Sequence, residues 1–301
     1  MSRTITVGLD GSPESRAAAE WAAREAELRA LPVKLVQVWE PVPEPMAQAP
    51  LLGPETHQHW TERVPREAAE GLRLRHPGLE VVTEQLTGPP AEALPRVAKD
   101  AELLVLGSRG LSGISGFLVG SVGLAVVANT ERPVVLVRAG EQAADEHQAD
   151  PAGIPSAATP FRPVLLGLDT GGPDAAPIEF AFEAAARRRA PLRVVHGWSA
   201  PYYYAYAMAP VPEVTETVAR SEAAALTEAL SPWRRKYPDV EVVTESRCGS
   251  PSLLLIEASR EASLVVVGRR VRRSSVGTHI GTVTHAVLHH ATAPVAVVAH
   301  D

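Results

Sequence analysis

Residues 107–121, GSRGLSGISGFLVGS, place five glycines and four serines directly after the aliphatic run LLVL. Glycine costs roughly 0.5–1 kcal/mol against alanine in regular structure, so this density asks what the main chain must approach there. The spacing is Gly107, two residues, Gly110, nine residues, then Gly120-Ser121. Gly107 and Gly110 lack Cβ atoms and permit a tight turn and close contact with a ligand. Gly120-Ser121 opens a helix whose first N–H groups and dipole favour an anion. The chemistry this pattern suits is phosphate binding by backbone amides. Asp10 ends an earlier apolar run, TITVGLD, and taken alone reads equally well as the organiser of a turn, just as Ser121 alone reads as an N-cap.

These residues need a frame that brings positions a hundred residues apart to one edge. The chain read against itself supplies it: EVVTEQLTGPPAEALPRVAKDAELLVLGSRG, from Glu80, aligns without a gap to EVVTESRCGSPSLLLIEASREASLVVVGRRV, from Glu241. TVGLDGS pairs likewise with LLGLDTG, LVQVWEPVP with VVHGWSAPY, and ERPVVLV with TAPVAVV. The halves are copies, residues 1–140 and 161–301, and the acidic, Pro- and Ala-rich stretch 141–160 between them reads as a linker. In the first copy strands are predicted at 4–9, 33–39, 80–86, 103–107 and 133–137. Helices are predicted at 12–30, with Ser12 as N-cap, and at 55–75, 90–99 and 120–129. Strands alternating with helices, apolar on both faces, predict an α/β fold: two tandem doubly wound, Rossmann-like domains with parallel sheets.

In such sheets ligands lie beyond the carboxyl ends of the strands, where the winding reverses. With Asp10 closing the first strand and Val38 near the end of the second, the G-x2-G-x9-G-S pattern resembles the nucleotide-binding subclass of the universal stress protein family, twice over nearly the whole chain. The resemblance implies five strands in the order 3-2-1-4-5. It implies that Asp10 and the main chain at Val38 hold adenosine, and that Gly107, Gly110, Gly120, Ser121 and the amide of Val122 hold phosphates. It also implies pairing of the domains through their last strands, PVVLV and PVAVV, and a possible homodimer, with the protein partner unnamed.

The second copy departs from the pattern. Asp169, Gly268, Gly281 and Thr282 match, but Val271 replaces Gly110 and Gly197 replaces Val38. A β-branched residue resists φ > 0 and adds bulk toward phosphates, whereas Arg269, Arg270, Arg272 and Arg273 offer charge instead. His285 and His289, four apart, read as exposed helix histidines without a third ligand, so no metal site is expected. The tyrosines of YYYAYAM, 202–208, suit stacking, an interface, or a loop folded on its own domain. Trp39 and Trp198 read as core, and Cys248 as small and half-buried.

With 45% hydrophobic and 21% charged residues the chain reads as globular, and its net charge of −6 argues against a nucleic-acid partner. No apolar run is long enough to span a membrane and nothing at the N-terminus resembles a signal peptide. With one cysteine, a reducing cytoplasm is the expected location. G-x-G-x-x-G, a Walker P-loop and G-x-S-x-G are all missing, which removes a dinucleotide dehydrogenase, a P-loop NTPase and a serine hydrolase. Asp10 is the one acidic candidate near the presumed phosphates. These absences point to binding with little or no turnover, and the family resemblance implies that what is bound is an adenine nucleotide, ATP, in a stress-response or regulatory protein. The alternatives are a scaffold with empty loops and a slow ATPase whose Mg²⁺ is carried by the phosphates.

Overall fold

A computed structural model describes residues 3–40, 54–110, 117–199, 212–271 and 280–301. The tyrosine loop, Arg272, Arg273 and the middle of the glycine-rich stretch, 111–116, lie outside them. The chain divides into two compact units, one within Met1–Ala143, the other running from Ala144 through Val271 and again from Ile280 to Asp301.

In the first unit β1 (Thr4–Leu9), β2 (Val33–Trp39), β3 (Val81–Thr87), β4 (Ala101–Gly110) and β6 (Val134–Arg138) pair in parallel in the order β3-β2-β1-β4-β6. This is 3-2-1-4-5 among the long strands. The two-residue β5 (Phe117–Leu118) folds back antiparallel on the end of β4. Helices α1 (Pro13–Arg29), α2 (Pro54–Arg75), α3 (Pro90–Ala98) and α4 (Ser121–Asn129) provide the crossovers. The strands β1, β4 and β6 are nearly continuous in buried Ile, Val and Leu, as helices on both faces require. Helix α1 starts at Pro13 because Ser12 Oγ accepts from Ser15 N at 3.1 Å and Pro13 fills the first helical position. It ends at Ala30, in the left-handed conformation, whose N–H returns to Ala26 O and Glu27 O.

The second unit repeats this arrangement. Strands β7 (Val164–Gly167), β8 (Leu192–Trp198), β9 (Val242–Cys248), β10 (Leu264–Arg270) and β11 (Val295–His300) pair in parallel in the order β9-β8-β7-β10-β11. Its helices are α5 (Ala175–Arg188), α6 (Pro212–Lys236), α7 (Pro251–Ala258) and α8 (Thr282–His290).

The stretch read as a linker contributes structure of its own. A 3₁₀ turn at Ala143–Glu146 and antiparallel bridges His147–Phe161 and Ala149–Pro155 organise it. Glu146, 3% exposed, lies 3.9 Å from the fully buried guanidinium of Arg188, and the Phe161 ring faces that same guanidinium. In the first unit the matching Arg29, at the same end of its helix, pairs with Glu25 of its own helix at 2.6 Å, with both side chains almost completely buried. A charge in either core thus meets a carboxylate, as burial demands.

Candidate functional site

The register of the first sheet builds a crevice at its carboxyl edge. Val7 pairs with Val105 and Leu9 with Gln37, so Asp10, Gly107 and Val38 emerge side by side from three adjacent strands. They line a cavity of about 220 Å³ together with Gly8, Leu9, Val36 and Leu106 of the strands, Pro90 and Leu94 of α3, Ser12, Glu14 and Ser15 at the start of α1, and Gly120, Ser121, Val122 and Gly123 at the start of α4. Six of the seven residues singled out in the first copy thus face one space. Gly110, the seventh, ends β4 opposite Phe117.

The walls differ in kind. Val36, Val38, Leu94, Leu106 and Pro90 make an apolar side suited to a planar ring. The start of α4 makes a polar one: Gly120 is its N-cap with no side-chain hydrogen bond, and no acid occupies the first turn. Among the described residues its first amides therefore have no capping side chain, the condition under which a helix start takes an anion. Gly120 has φ −61°, open to any residue, and a Cβ built on it would meet nothing within 4 Å. Among the described residues neither strain nor packing asks for glycine at 120, whose bare main chain opens on the cavity.

Gly107 is bare for another reason. A Cβ there would lie 2.5 Å from the carbonyl carbon of Glu14 and 2.7 Å from Ser15 N, so the residue lets α1 sit directly on β4. The turn from β1 into α1 is set by Gly11, φ +81°, and by Asp10, whose Oδ1 accepts from Ser12 N at 3.0 Å and from Ser12 Oγ. Asp10 therefore organises the α1 entry while also lining the cavity. Ser12, Glu14, Pro90 and Leu94 are lining residues that sequence reasoning passed over. For Pro90 and Leu94 a signal was present, since they stand at i and i+4 on a helix opening with Pro.

The second unit keeps part of this geometry. Gly281 caps α8 at φ −58° without a side-chain bond, and a Cβ on it too would meet nothing within 4 Å; Thr282 opens the helix. Thr284 Oγ1 donates to Gly268 O at 2.8 Å, tying the helix start to β10 beside Asp169. Elsewhere the crevice is rebuilt. At Gly197, in the place of Val38, a Cβ would fall 2.7 Å from Pro251 Cα, so α7 lies against the strand. At Gly268 a Cβ would meet His300 Nε2 at 2.8 Å. Val271 is not in the left-handed region, and its N–H donates to His300 O at 2.6 Å. Asp169 Oδ1 accepts from Gly171 N, but α5 begins six residues after Asp169, where α1 begins three after Asp10.

Behind that turn, His196 replaces Gln37 on the opposite face of its strand. Its Nδ1 donates to Leu168 O at 2.9 Å, and its Nε2 lies 3.0 Å from Glu222 Oε2 and 3.2 Å from Thr170 Oγ1. The expectation of exposed histidines on α8 holds for His285 only. His289 is buried with Val287 and Leu288, because the last turn of α8 enters the core, and the two rings are 4.5 Å apart. Desolvation first, then repulsion from His289 and His290, hold His285 below the usual imidazole range. No group of three or more His, Cys, Asp or Glu residues suited to a metal occurs among the described residues. Trp198 is buried and Trp39 half-buried, while Cys248 is exposed, because β9 is an edge strand.

A family model for the universal stress protein family matches residues 1–138 and again 160–299. The chain belongs to the universal stress protein family. A universal stress protein of Mycolicibacterium smegmatis is 32% identical over 303 residues, covering 98% of this chain and 96% of its own length. One from Mycobacterium tuberculosis is 32% identical over 308 residues, at 97% and 96% coverage. The crystal structure of a universal stress protein from Archaeoglobus fulgidus aligns over the full length of both chains with a TM-score of 0.69 at 16% identity, a likeness of fold. The chain is thus a tandem universal stress protein, and among the described residues no helix is long and apolar enough to cross a membrane.

Proposed function

We propose that the first unit of this universal stress protein is a receptor for an adenine nucleotide, ATP in the first place, that binds without efficient turnover. The purine lies between Val38 and the apolar start of α3, Asp10 and the main chain of Val38 hold the adenosine end, and the phosphates lie on the amides of Gly120, Ser121 and Val122. One observation carries the reading: Gly120 is bare where neither packing nor backbone conformation requires it, at an uncapped helix start opening on a cavity with an apolar wall. Asp10 and Glu14 are the carboxylates lining that cavity, and as oxygen donors they suit a Mg²⁺ that arrives on the phosphates. Asp10 already accepts from the N–H and hydroxyl of Ser12 and so organises the entry to α1, a structural use of that carboxylate which supports binding in place of hydrolysis. A nucleotide that binds one conformation better than another then sets the population presented to a partner protein.

The test is recovery of the small-molecule fraction from the denatured purified protein, followed by calorimetric titration of the emptied protein with ATP. An adenine spectrum and saturable binding that disappears in Gly120→Leu support the reading. No adenine and no binding would leave the chain a scaffold. Phosphate release above background that Gly120→Leu abolishes would make it a slow ATPase.

A further inference from the structure

Two helix starts face the cavity of the first unit, and they are not electrically alike. The start of α4 has no acid and no side-chain cap. The start of α1 is already satisfied, since Ser12 Oγ accepts from Ser15 N and Asp10 Oδ1 accepts from Ser12 N. It also carries Glu14 in its first turn, a half-buried carboxylate that no described side chain pairs with. Glu14 is held over the end of β4: a Cβ built on Gly107 would be 2.8 Å from Glu14 Cβ. Among the described residues lining the cavity there are two carboxylates, Asp10 and Glu14, and no Lys, Arg or His. The nearby Arg16 does not line it, and its guanidinium donates to Gly11 O.

A phosphate chain laid on α4 therefore grows toward negative charge. Like charges a few ångströms apart at a partly buried site repel by an amount that rises with each ionised oxygen added, and a divalent cation reverses the sign. We propose that Glu14 is a specificity-determining residue, a charge filter that makes the site favour a nucleoside monophosphate or a metal-bound polyphosphate over the metal-free polyphosphate. The second unit differs here: the carboxylate at the start of α5 is its N-cap Asp174, satisfied by Ala176 N, with no acid in the first turn, and the side chain of Arg270 approaches Gly172, 3.6 Å from a Cβ built on it. This inference rests on the nucleotide reading of the first unit and adds which charge state of the nucleotide that site accepts.

The experiment is calorimetric titration of the full chain with AMP, with ATP in EDTA, and with ATP in excess MgCl₂, for the wild type, Glu14→Gln and Glu14→Asp. The wild type should bind AMP several-fold more tightly than metal-free ATP, and Mg²⁺ should recover roughly tenfold for ATP. Glu14→Gln should tighten metal-free ATP by about three- to tenfold while AMP stays within about twofold, and Glu14→Asp should keep the wild-type ratio. Should Glu14→Gln fail to fold, the wild type still decides: raising salt from about 0.02 M to about 0.3 M should compress the AMP-to-ATP preference. Binding of both nucleotides with a ratio that neither Glu14→Gln nor salt moves, or a wild-type preference for metal-free ATP, would overturn the filter and leave the nucleotide site standing. Binding of neither nucleotide would remove the site and the filter together.

Discussion

The carboxyl edges of the two sheets are copies in sequence that share a helix start and differ around it. Both keep a bare glycine capping an uncapped helix, Gly120 and Gly281. On the other side, Gly11 and Ser12 give way to a longer turn through Thr170, Val38 to a glycine pressed by Pro251, and the contact of Gly107 with α1 to one of Gly268 with His300. The anion-facing half of a site needs only a few exposed amides, which many sequences provide. The half that fits a ring depends on helix length and side-chain volume, and these drift once a second copy is free to specialise.

The comparison can be broken at several points. The largest expected effect concerns the two buried arginines. Glu25→Ala should remove the close carboxylate of Arg29 and Glu146→Ala the buried carboxylate facing Arg188, each lowering the stability of its own unit by about 3–5 kcal/mol in denaturant unfolding. A small loss for Glu146→Ala would return residues 141–160 to the status of a passive connector.

Next comes binding. Gly120→Leu should weaken adenine nucleotide by about 100-fold with its melting temperature kept, whereas Gly281→Leu should change affinity by less than about threefold, because Pro251 and His300 have altered the partner wall. Equal losses in calorimetry would mean that the second crevice binds as well as the first.

Smaller still is the distinction between two kinds of glycine. Gly107→Ala forces a methyl into the backbone of α1 and should cost about 1–3 kcal/mol of stability, while Gly120→Ala should stay within about 0.5 kcal/mol. Reversed magnitudes in chemical denaturation would undo the assignment of one glycine to packing and the other to access.

The smallest effect is on α8. The pKa of His285 is depressed in the folded state, chiefly by desolvation, so the unfolded chain takes up that proton first. The second unit should lose stability as pH falls from neutral through the free-imidazole range and lose no more once His285 is protonated in both states. Replacing the exposed His290 by Gln removes the least of the causes and should move the His285 midpoint upward slightly, as read by NMR titration. A downward shift would show that His290 is not a repelling neighbour.

How much was legible follows from the length scale of each cause. The succession of strands and helices and Ser12 as N-cap could be read from apolar periodicity and from the repeat, whereas the meeting of Asp10, Val38 and Gly107 followed only from the strand order that the family resemblance implies. Glu14 was not legible as a cavity residue, because its position depends on how closely α1 settles on β4, which Gly107 permits. Nor was the burial of His289 or of Glu146, each being decided by a contact whose partner lies in a different element.

Apolar periodicity, breakers and the internal repeat already make the chain a duplicated α/β protein with a glycine-rich edge in its first half, because such signals are local and survive without coordinates. Only the tertiary structure decided which glycine is bare for packing and which for access, which carboxylates face the cavity, and which of the two edges keeps its apolar wall. Those are matters of distances between segments remote in the chain, and the closeness of an approach is fixed by everything packed around it.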